Sequence, residues 1–260
     1  MKYGGDTTCI QVQSSTGESL IIDAGSGIRS CGNELISKNQ TSINMFFTHA
    51  HWDHILGFPF FKPLYKQNYC INIYDGFKVA GGVIEIIQAV YRKPYFPIDY
   101  KAVKAKLNII PLEEHVIIGS LKVSSLNLSH PDGGYGYILE EAGKKFVFLT
   151  DNELGMLAEN KLSYADYVEK CYGADLLIHD AEYRDEEYLL HKGWGHSALG
   201  DTVKLATDAQ VKKLGLFHHN QDRTDKEVDS MVIEANNLID TKYSSKVECF
   251  AVPKGLQLSL

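Results

Sequence analysis

The stretch Ile43-Asn44-Met45-Phe46-Phe47-Thr48-His49-Ala50-His51-Trp52-Asp53-His54 decides how this chain is read. An apolar run of strand length ends, and three imidazoles and a carboxylate follow within six positions. Side chains alternate along a strand, so His49 and His51 project to one side of its end. Asp53 and His54 fall on the next turn, close enough to hold a second ion. Neutral imidazole with carboxylate suits zinc, iron(II) or manganese. The plain alternative is a polar loop with surface histidines, and the density of the cluster argues against it.

Outward from this stretch, short β-branched and aromatic runs alternate with amphipathic segments, and Gly, Asn or Asp punctuate the boundaries. Strands are expected over Cys9 to Gln13, Leu20 to Asp23, Asn44 to Thr48, Ile71 to Tyr74, Leu121 to Leu128, Tyr135 to Leu139 and Phe146 to Thr150. Later ones are Asp175 to His179, Lys213 to Phe217, Val247 to Val252 and Leu256 to Leu260. Helices fit Gly27 to Ser37, His54 to Phe61, Val79 to Tyr91, Tyr164 to Cys171, Ala198 to Thr207 and Lys226 to Leu238. This succession predicts two sheets with helices outside.

Almost every expected strand end carries a metal ligand or an acid: Asp23, His49, His130, Asp151, His179 with Asp180, and His218. Taken singly, each reads more simply as a turn residue or helix cap. Together they mark one edge of a scaffold where side chains from distant sequence can converge.

On these residues the chain resembles the metallo-β-lactamase superfamily over nearly its whole length. The opening cluster matches the family's His-x-His-x-Asp-His motif, and Ile21-Ile22-Asp23-Ala24-Gly25 resembles its strand-end aspartate motif, whose carboxylate supports the metal-site loops. Ser129-His130-Pro131 and Leu149-Thr150-Asp151 match the third ligand and the bridging carboxylate. The final ligand falls in Gly215-Leu216-Phe217-His218-His219; alignment by the strand end selects His218, with His219 as the alternative. The resemblance implies an α/β fold, the four-layer αββα sandwich. It also implies two divalent ions, zinc, manganese or iron: His49, His51 and His130 on one, Asp53, His54 and His218 on the other, Asp151 between them. Such a pair generates hydroxide near neutral pH and clamps the attacking and leaving oxygens of a phosphoryl displacement.

Two further segments separate branches of the superfamily. Gly195-His196-Ser197-Ala198 and Ile178-His179-Asp180-Ala181-Glu182-Tyr183 resemble the Gly-His-Ser and His-Glu-Ala-Thr-Phe segments of the ribonuclease Z-like phosphodiesterases. In that branch the histidine, here His196, meets the scissile phosphate, and the acid, here Asp180, supports it. The chain departs by carrying Asp180 where the branch has Glu, and Glu182-Tyr183 in place of Thr-Phe. A carboxylate-oriented imidazolium can stabilise and protonate the leaving oxygen of a phosphodiester. The plainer readings are a helix start capped by Ser197 and a turn-forming Asp180. Asp53, His196 and Asp180 are therefore the expected catalytic residues.

Composition narrows the substrate. The 260 residues carry a formal charge of −7, and the basic residues do not gather into runs, so a broad nucleic-acid face is not expected. There is no long basic Gly/Pro-rich insertion resembling the tRNA-gripping arm of ribonuclease Z. The layout from Tyr3-Gly4-Gly5-Asp6 to His218-His219 resembles bacterial proteins of this branch associated with 3′,5′-cyclic nucleotide phosphodiesterase activity, so a small diester is the expected substrate. A thioesterase of the glyoxalase II type, or an RNA-processing nuclease, is the alternative. In the segment Tyr91-Arg92-Lys93-Pro94-Tyr95-Phe96-Pro97, pocket lid and core packing are equally open, and of Tyr135 and Tyr137 one is expected in the core and the other at the cleft.

No linker-like stretch, repeat or low-complexity tract interrupts the chain, so residues 1–260 read as one domain. The five cysteines, Cys9, Cys31, Cys70, Cys171 and Cys249, form no Cys-x-x-Cys pair and read as buried thiols in a reducing compartment. No signal-peptide core and no run long enough to span a bilayer is present, which points to the cytoplasm and away from a membrane partner. A homodimer is the default oligomeric expectation.

Overall fold

The computed structural model describes residues 2–156 and 162–260. Contacts divide the chain into two compact units: an N-terminal unit, Asp6–Leu121, and a C-terminal unit of Met1–Gly5 with Lys122–Leu260.

In the N-terminal unit five strands, β1 (Ile10–Gln13), β2 (Ser19–Ile22), β3 (Ser42–Phe46), β4 (Cys70–Asp75) and β5 (Lys106–Pro111), lie in sheet order β1-β2-β3-β4-β5. β1 and β2 are antiparallel, and the remaining pairs are parallel. Parallel neighbours need crossovers, and α1 (Ile28–Ser37) and α3 (Gly82–Val90) lie in two of them. α1 buries Ile28, Cys31 and Leu35, one stripe of the helix, against Ile21, Ile43, Met45, Ile71 and Ile73 of the sheet. Asn44, a polar residue in a buried strand, is satisfied across the sheet: Asn72 donates to it at 3.0 Å, and Asn108 donates to Asn72 at 2.8 Å. The unit also contains α2 (Trp52–Ile55) and β6 (His115–Ile118).

In the C-terminal unit the strands β7 (Leu121–Asn127), β8 (Tyr135–Glu141), β9 (Lys144–Leu149), β10 (Leu176–Asp180), β11 (Lys213–Phe217) and β12 (Glu248–Ala251) run in the order β12-β11-β10-β9-β8-β7. β9 to β12 are parallel neighbours, whereas β7, β8 and β9 alternate. β7 therefore points the same way as β9, β10 and β11, and all four strands end at one edge of the sheet. Helices α4 (Tyr164–Cys171), α6 (Leu199–Asp208) and α7 (Asp225–Leu238) pack Tyr167, Val203, Ala206, Val228 and Met231 into the core formed with Val147, Leu149, Leu177, Leu214 and Leu216. A further helix is α5 (Asp185–His191).

Most expected elements are present, with instructive departures. The expected helix from His54 to Phe61 is broken: α2 ends at Ile55 and a 3-10 turn over Phe58–Phe60 follows. Gly57 makes the break by close approach, since a Cβ there would meet the Gly25 carbonyl oxygen at 2.0 Å. α3 starts at Gly82 because Gly81 and Gly82 both have positive φ. Leu256 to Leu260, expected as a strand, is irregular and leaves Leu256, Leu258 and Leu260 exposed. β5 escapes the pattern because it is an edge strand with polar residues and a terminal proline. α5 escapes it because it buries no residue and exposes Leu189 and Leu190.

Of the aromatic insert, Tyr91 is buried, and the rings of Phe96 and Tyr100 meet it edge-on at 5.4 and 5.6 Å. These three are packing, while Tyr95 is exposed. Tyr137 is core and Tyr135 is half-buried. No helix among the described residues is long and apolar enough to cross a membrane.

All five cysteines are free. Burial pushes the thiols of Cys171 and Cys249 up to about 12. Thiolate is the reactive form, so brief alkylation of the native protein at neutral pH is expected to spare both, and the unfolded chain to react at all five. Peptide mass spectrometry reads the difference.

Candidate metal centre

The N-terminal unit carries its expected ligands at the ends of two adjacent parallel strands. β2 and β3 are paired so that Ile22 faces Phe46, and Asp23, the next residue, donates its N–H to the Phe46 carbonyl at 2.9 Å. Asp23 has φ +66°, a left-handed conformation that non-glycine residues adopt at a cost of about 1–3 kcal/mol and that turns its side chain out of the strand register. Its fully buried carboxylate accepts from the Thr48 N–H at 2.7 Å and the Thr48 hydroxyl at 2.8 Å, and lies 2.8 Å from His54 Nδ1. Burial raises the Asp23 carboxyl, while His54 and the Thr48 donors work against that rise. An ionised Asp23 holds the proton of His54 on Nδ1 and leaves Nε2 as the nitrogen with a lone pair.

Around this support the expected ligands gather. The rings of His49 and His51 have centroids 4.4 Å apart, and those of His49 and His54 are 4.2 Å apart. His54 Nε2 is 3.1 Å from Asp53 Oδ2. Glycine makes the arrangement sterically feasible: a Cβ on Gly25 would lie 2.3 Å from the Asp53 carbonyl oxygen.

The C-terminal unit supplies its residues from the common edge of four strands. His130 follows β7, Asp151 follows β9, Asp180 ends β10 and His218 follows β11. Asp151 and His218 have φ +53° and +52°, so these two strand-end residues share the left-handed conformation of Asp23. His218 Nε2 is 3.5 Å from Asp151 Oδ1, and one donor atom each of His130 and Asp151 lies within 4.8 Å of the other. His219, the alternative last ligand, packs instead against the Tyr3 ring at 5.5 Å. Burial, with His218 and Arg223 nearby, pushes its imidazole down to about 4. In the N-terminal unit the donor atoms of His49 and His51, and of Asp53 and His54, come within 4.8 Å of each other, as do those of Asp151 with His130 and with His218 in the C-terminal unit; imidazole with carboxylate suits zinc, manganese or iron.

The acid pair is also assembled within this unit. His196 Nδ1 lies 3.1 Å from Asp180 Oδ2, which also accepts from the Ser197 N–H at 3.1 Å. Burial opposes the His196 imidazolium, but the hydrogen bond and charge of Asp180 outweigh it, and the group sits above its ordinary value. Burial likewise opposes the Asp180 carboxylate, and His179 and His196 more than compensate, which holds it below the usual range. The shorter acid reaches because the chain runs close: Leu199 N–H donates to the Tyr183 carbonyl at 2.9 Å, laying residues 196–199 beside 180–183. Ser197 is not a helix cap; its hydroxyl donates to the Asn152 carbonyl at 2.6 Å and accepts from Leu154 N–H at 3.0 Å. His179 is a structural residue, fully buried, with Nδ1 donating to the Asp180 carbonyl at 2.8 Å and Nε2 beside Asn152 Nδ2 at 3.1 Å.

Sequence reasoning misses Glu153. It is fully buried and accepts from Tyr188 OH at 2.7 Å, Gly193 N–H at 2.8 Å and Gly195 N–H at 2.9 Å, pinning the loop that carries His196. Gly195 has φ +94°, and a Cβ there would meet His130 Cδ2 at 2.2 Å. The available signal was the polar run Asp151-Asn152-Glu153 directly after a buried strand. Glu153→Gln sets an amide N–H against a backbone N–H, an unsatisfied pair costing about 1–3 kcal/mol. The expected result is a melting temperature several degrees lower, checked by calorimetry.

A family model described as Beta-lactamase superfamily domain matches residues 19–219. A relative named Ribonuclease Z, from Oceanobacillus iheyensis, is 22% identical over 251 residues, covering 79% of this chain and 80% of its own. Among solved structures, the metallo-beta-lactamase fold protein YhfI from Bacillus subtilis superposes with a TM-score of 0.68 at 19% identity, over 98% of this chain and 95% of its own. A diphosphatase from the PhnP family does so with a TM-score of 0.66 at 18% identity, over 98% and 84%. Structural likeness at such identity speaks for the fold alone.

Proposed function

The chain belongs to the metallo-β-lactamase superfamily and has its fold, and from that membership we propose that it is a metal-dependent phosphodiesterase acting on a small diester such as a 3′,5′-cyclic nucleotide. The observation that carries the proposal is the pairing of the buried Asp180 with His196, 3.1 Å between Oδ2 and Nδ1, on the same strand edge as Asp151 and His218. A carboxylate holding an imidazole by Nδ1 presents Nε2 to a substrate, which serves a reaction whose leaving oxygen needs a proton. Thioester hydrolysis releases a thiolate and has no such need. The names of the relatives, a ribonuclease and a diphosphatase, agree with chemistry at phosphorus.

In this proposal His49, His51, Asp53, His54, His130, Asp151 and His218 are the residues that would hold two divalent ions. Residues 1–260 are proposed to work as one hydrolase domain. The ions, when bound, would lower the pKa of a water and offset charge on the phosphoryl oxygens. Asp53, with a partly exposed carboxylate, would serve there as the residue that holds a proton. Asp180 keeps His196 oriented, and His196 delivers a proton from Nε2 to the leaving oxygen. The ribonuclease relatives favour a second reading, an RNA-processing nuclease, and the acidic balance of −7 favours a small substrate over it. A cytoplasmic location, where free thiols stay reduced, and a homodimer complete the proposal.

Hydrolysis of bis(p-nitrophenyl) phosphate by the protein loaded with manganese or zinc tests the reading. Turnover is expected, lost on chelation and restored by the ion, with 3′,5′-cyclic nucleotides and short RNA as the next substrates. Metal-loaded protein that hydrolyses a glutathione thioester and no diester would overturn it.

A further inference from the structure

Glu182 stands where the ribonuclease Z-like segment has threonine, and it occupies the centre of the acid site. Only 8% of the residue is exposed. Its Oε2 lies 3.2 Å from His218 Nδ1 and 3.4 Å from His196 Nε2, so one carboxylate oxygen faces both imidazoles. Those rings stack, with centroids 4.9 Å apart and planes 23° apart. The other oxygen accepts from Asn220 Nδ2 at 3.3 Å, and the Glu182 carbonyl accepts from Arg223 Nη2 at 2.9 Å. Both side chain and backbone are therefore held in place.

The two histidines use opposite nitrogens toward Glu182, and that defines what it does. His218 turns Nδ1 to Glu182 and Nε2 to Asp151. A carboxylate on the far nitrogen of a ligating imidazole fixes the tautomer and raises ligand basicity. His196 has the reverse arrangement: its Nδ1 is held by Asp180, and Nε2, the nitrogen for substrate, faces Glu182. We infer that Glu182 is a positioning residue that fixes Nε2 of His218 as the ligating atom and receives the Nε2–H of His196 until a phosphoryl oxygen of the substrate takes its place. The second half rests on the phosphodiesterase reading; the first rests on the metal centre alone.

A negative charge at that place has a consequence for the substrate. The carboxylate competes with an anionic diester for the same N–H and repels it, so Glu182 orders the proton for transfer while weakening ground-state binding. Removing the charge should lower kcat and KM together, a split that a merely structural residue does not produce.

The test uses the full chain, as wild type, Glu182→Gln and Glu182→Thr, with thermal melts to verify folding. Glutamine is isosteric with the acid and keeps the test valid if the threonine variant does not fold. Zinc affinity, read by competition with a chromophoric chelator, is expected to fall by about 10–100-fold in Glu182→Thr and by less in Glu182→Gln, whose amide oxygen still accepts from Nδ1–H. With bis(p-nitrophenyl) phosphate, Glu182→Gln is expected to lose about threefold or more in both kcat and KM. Zinc affinity within twofold of wild type in both variants would overturn the inference. So would a third equivalent of zinc that disappears with Glu182, since the residue would then be a ligand. Wild-type protein that binds zinc through Glu182-dependent affinity yet cleaves no diester would refute the phosphodiesterase reading and leave the positioning of His218 standing.

Discussion

His196→Ala is expected to lower kcat for an alkyl phosphodiester by about 10²–10⁴-fold, the usual contribution of a positioned general acid, while the protein binds its metal ions as before. The expectation follows from the division of roles: His196 is outside the seven-residue donor set, and its Nδ1 is committed to Asp180 at 3.1 Å. On the proposed roles, truncation removes the proton donor without removing a ligand. The leaving group makes the test specific. p-Nitrophenolate departs readily without a proton, whereas an alkoxide such as a ribose oxygen does not. The deficit should therefore be much smaller for bis(p-nitrophenyl) phosphate than for a cyclic nucleotide. Equal deficits on both substrates would assign His196 to binding rather than to proton transfer. Metal analysis of the variant, done alongside, shows whether the loss comes from an emptied centre.

Asp23 is expected to give the largest effect on folding. Its carboxylate is fully buried and serves Thr48 N–H, Thr48 Oγ1 and His54 Nδ1 at 2.7–2.8 Å. Asp23→Ala strands all three, and breaking a buried pair of this kind costs about 3–5 kcal/mol. For a chain of this length that corresponds to a melting temperature lower by on the order of 10 °C, readable by calorimetry. Asp23→Asn separates folding from ligation. The asparagine oxygen can still accept from Thr48 N–H, which places its amide N–H₂ against His54 Nδ1. That nitrogen must then accept, so the proton moves to Nε2, the nitrogen nearer Asp53. The expected result is a nearly unchanged melt with zinc affinity reduced by about 10–100-fold. Unchanged affinity in Asp23→Asn would mean that His54 does not ligate through Nε2.

Periodicity alone made the strands and the main helices legible, because a buried strand and an amphipathic helix each impose a spacing that survives in any context. The elements that went unread are those on which burial writes no pattern. β5 is half-exposed at a sheet edge, and α5 buries nothing. Conversely, the alternation of Leu256 to Leu260 promised a strand that is absent, because alternation is necessary for a ladder but does not supply a partner.

The sequence by itself determined the donor chemistry. His49, His51, Asp53 and His54 fall within six consecutive residues, and their identities limit the ions that suit them. It also singled out Asp23, His130, Asp151 and His218 as strand-end residues, since turn chemistry is local. Only the tertiary structure decided the hydrogen-bonded roles. Asp180 and His196 are paired because residues 196–199 lie beside residues 180–183, and Glu182 faces two histidines because β10 and β11 are parallel neighbours. Glu153 grips the loop before His196 across forty residues of chain. Such contacts depend on which strands pair and where φ turns positive, as at Asp23, Asp151 and His218. Those conformations cost energy locally and persist only because the packed surroundings hold them, so no local sequence pattern encodes them.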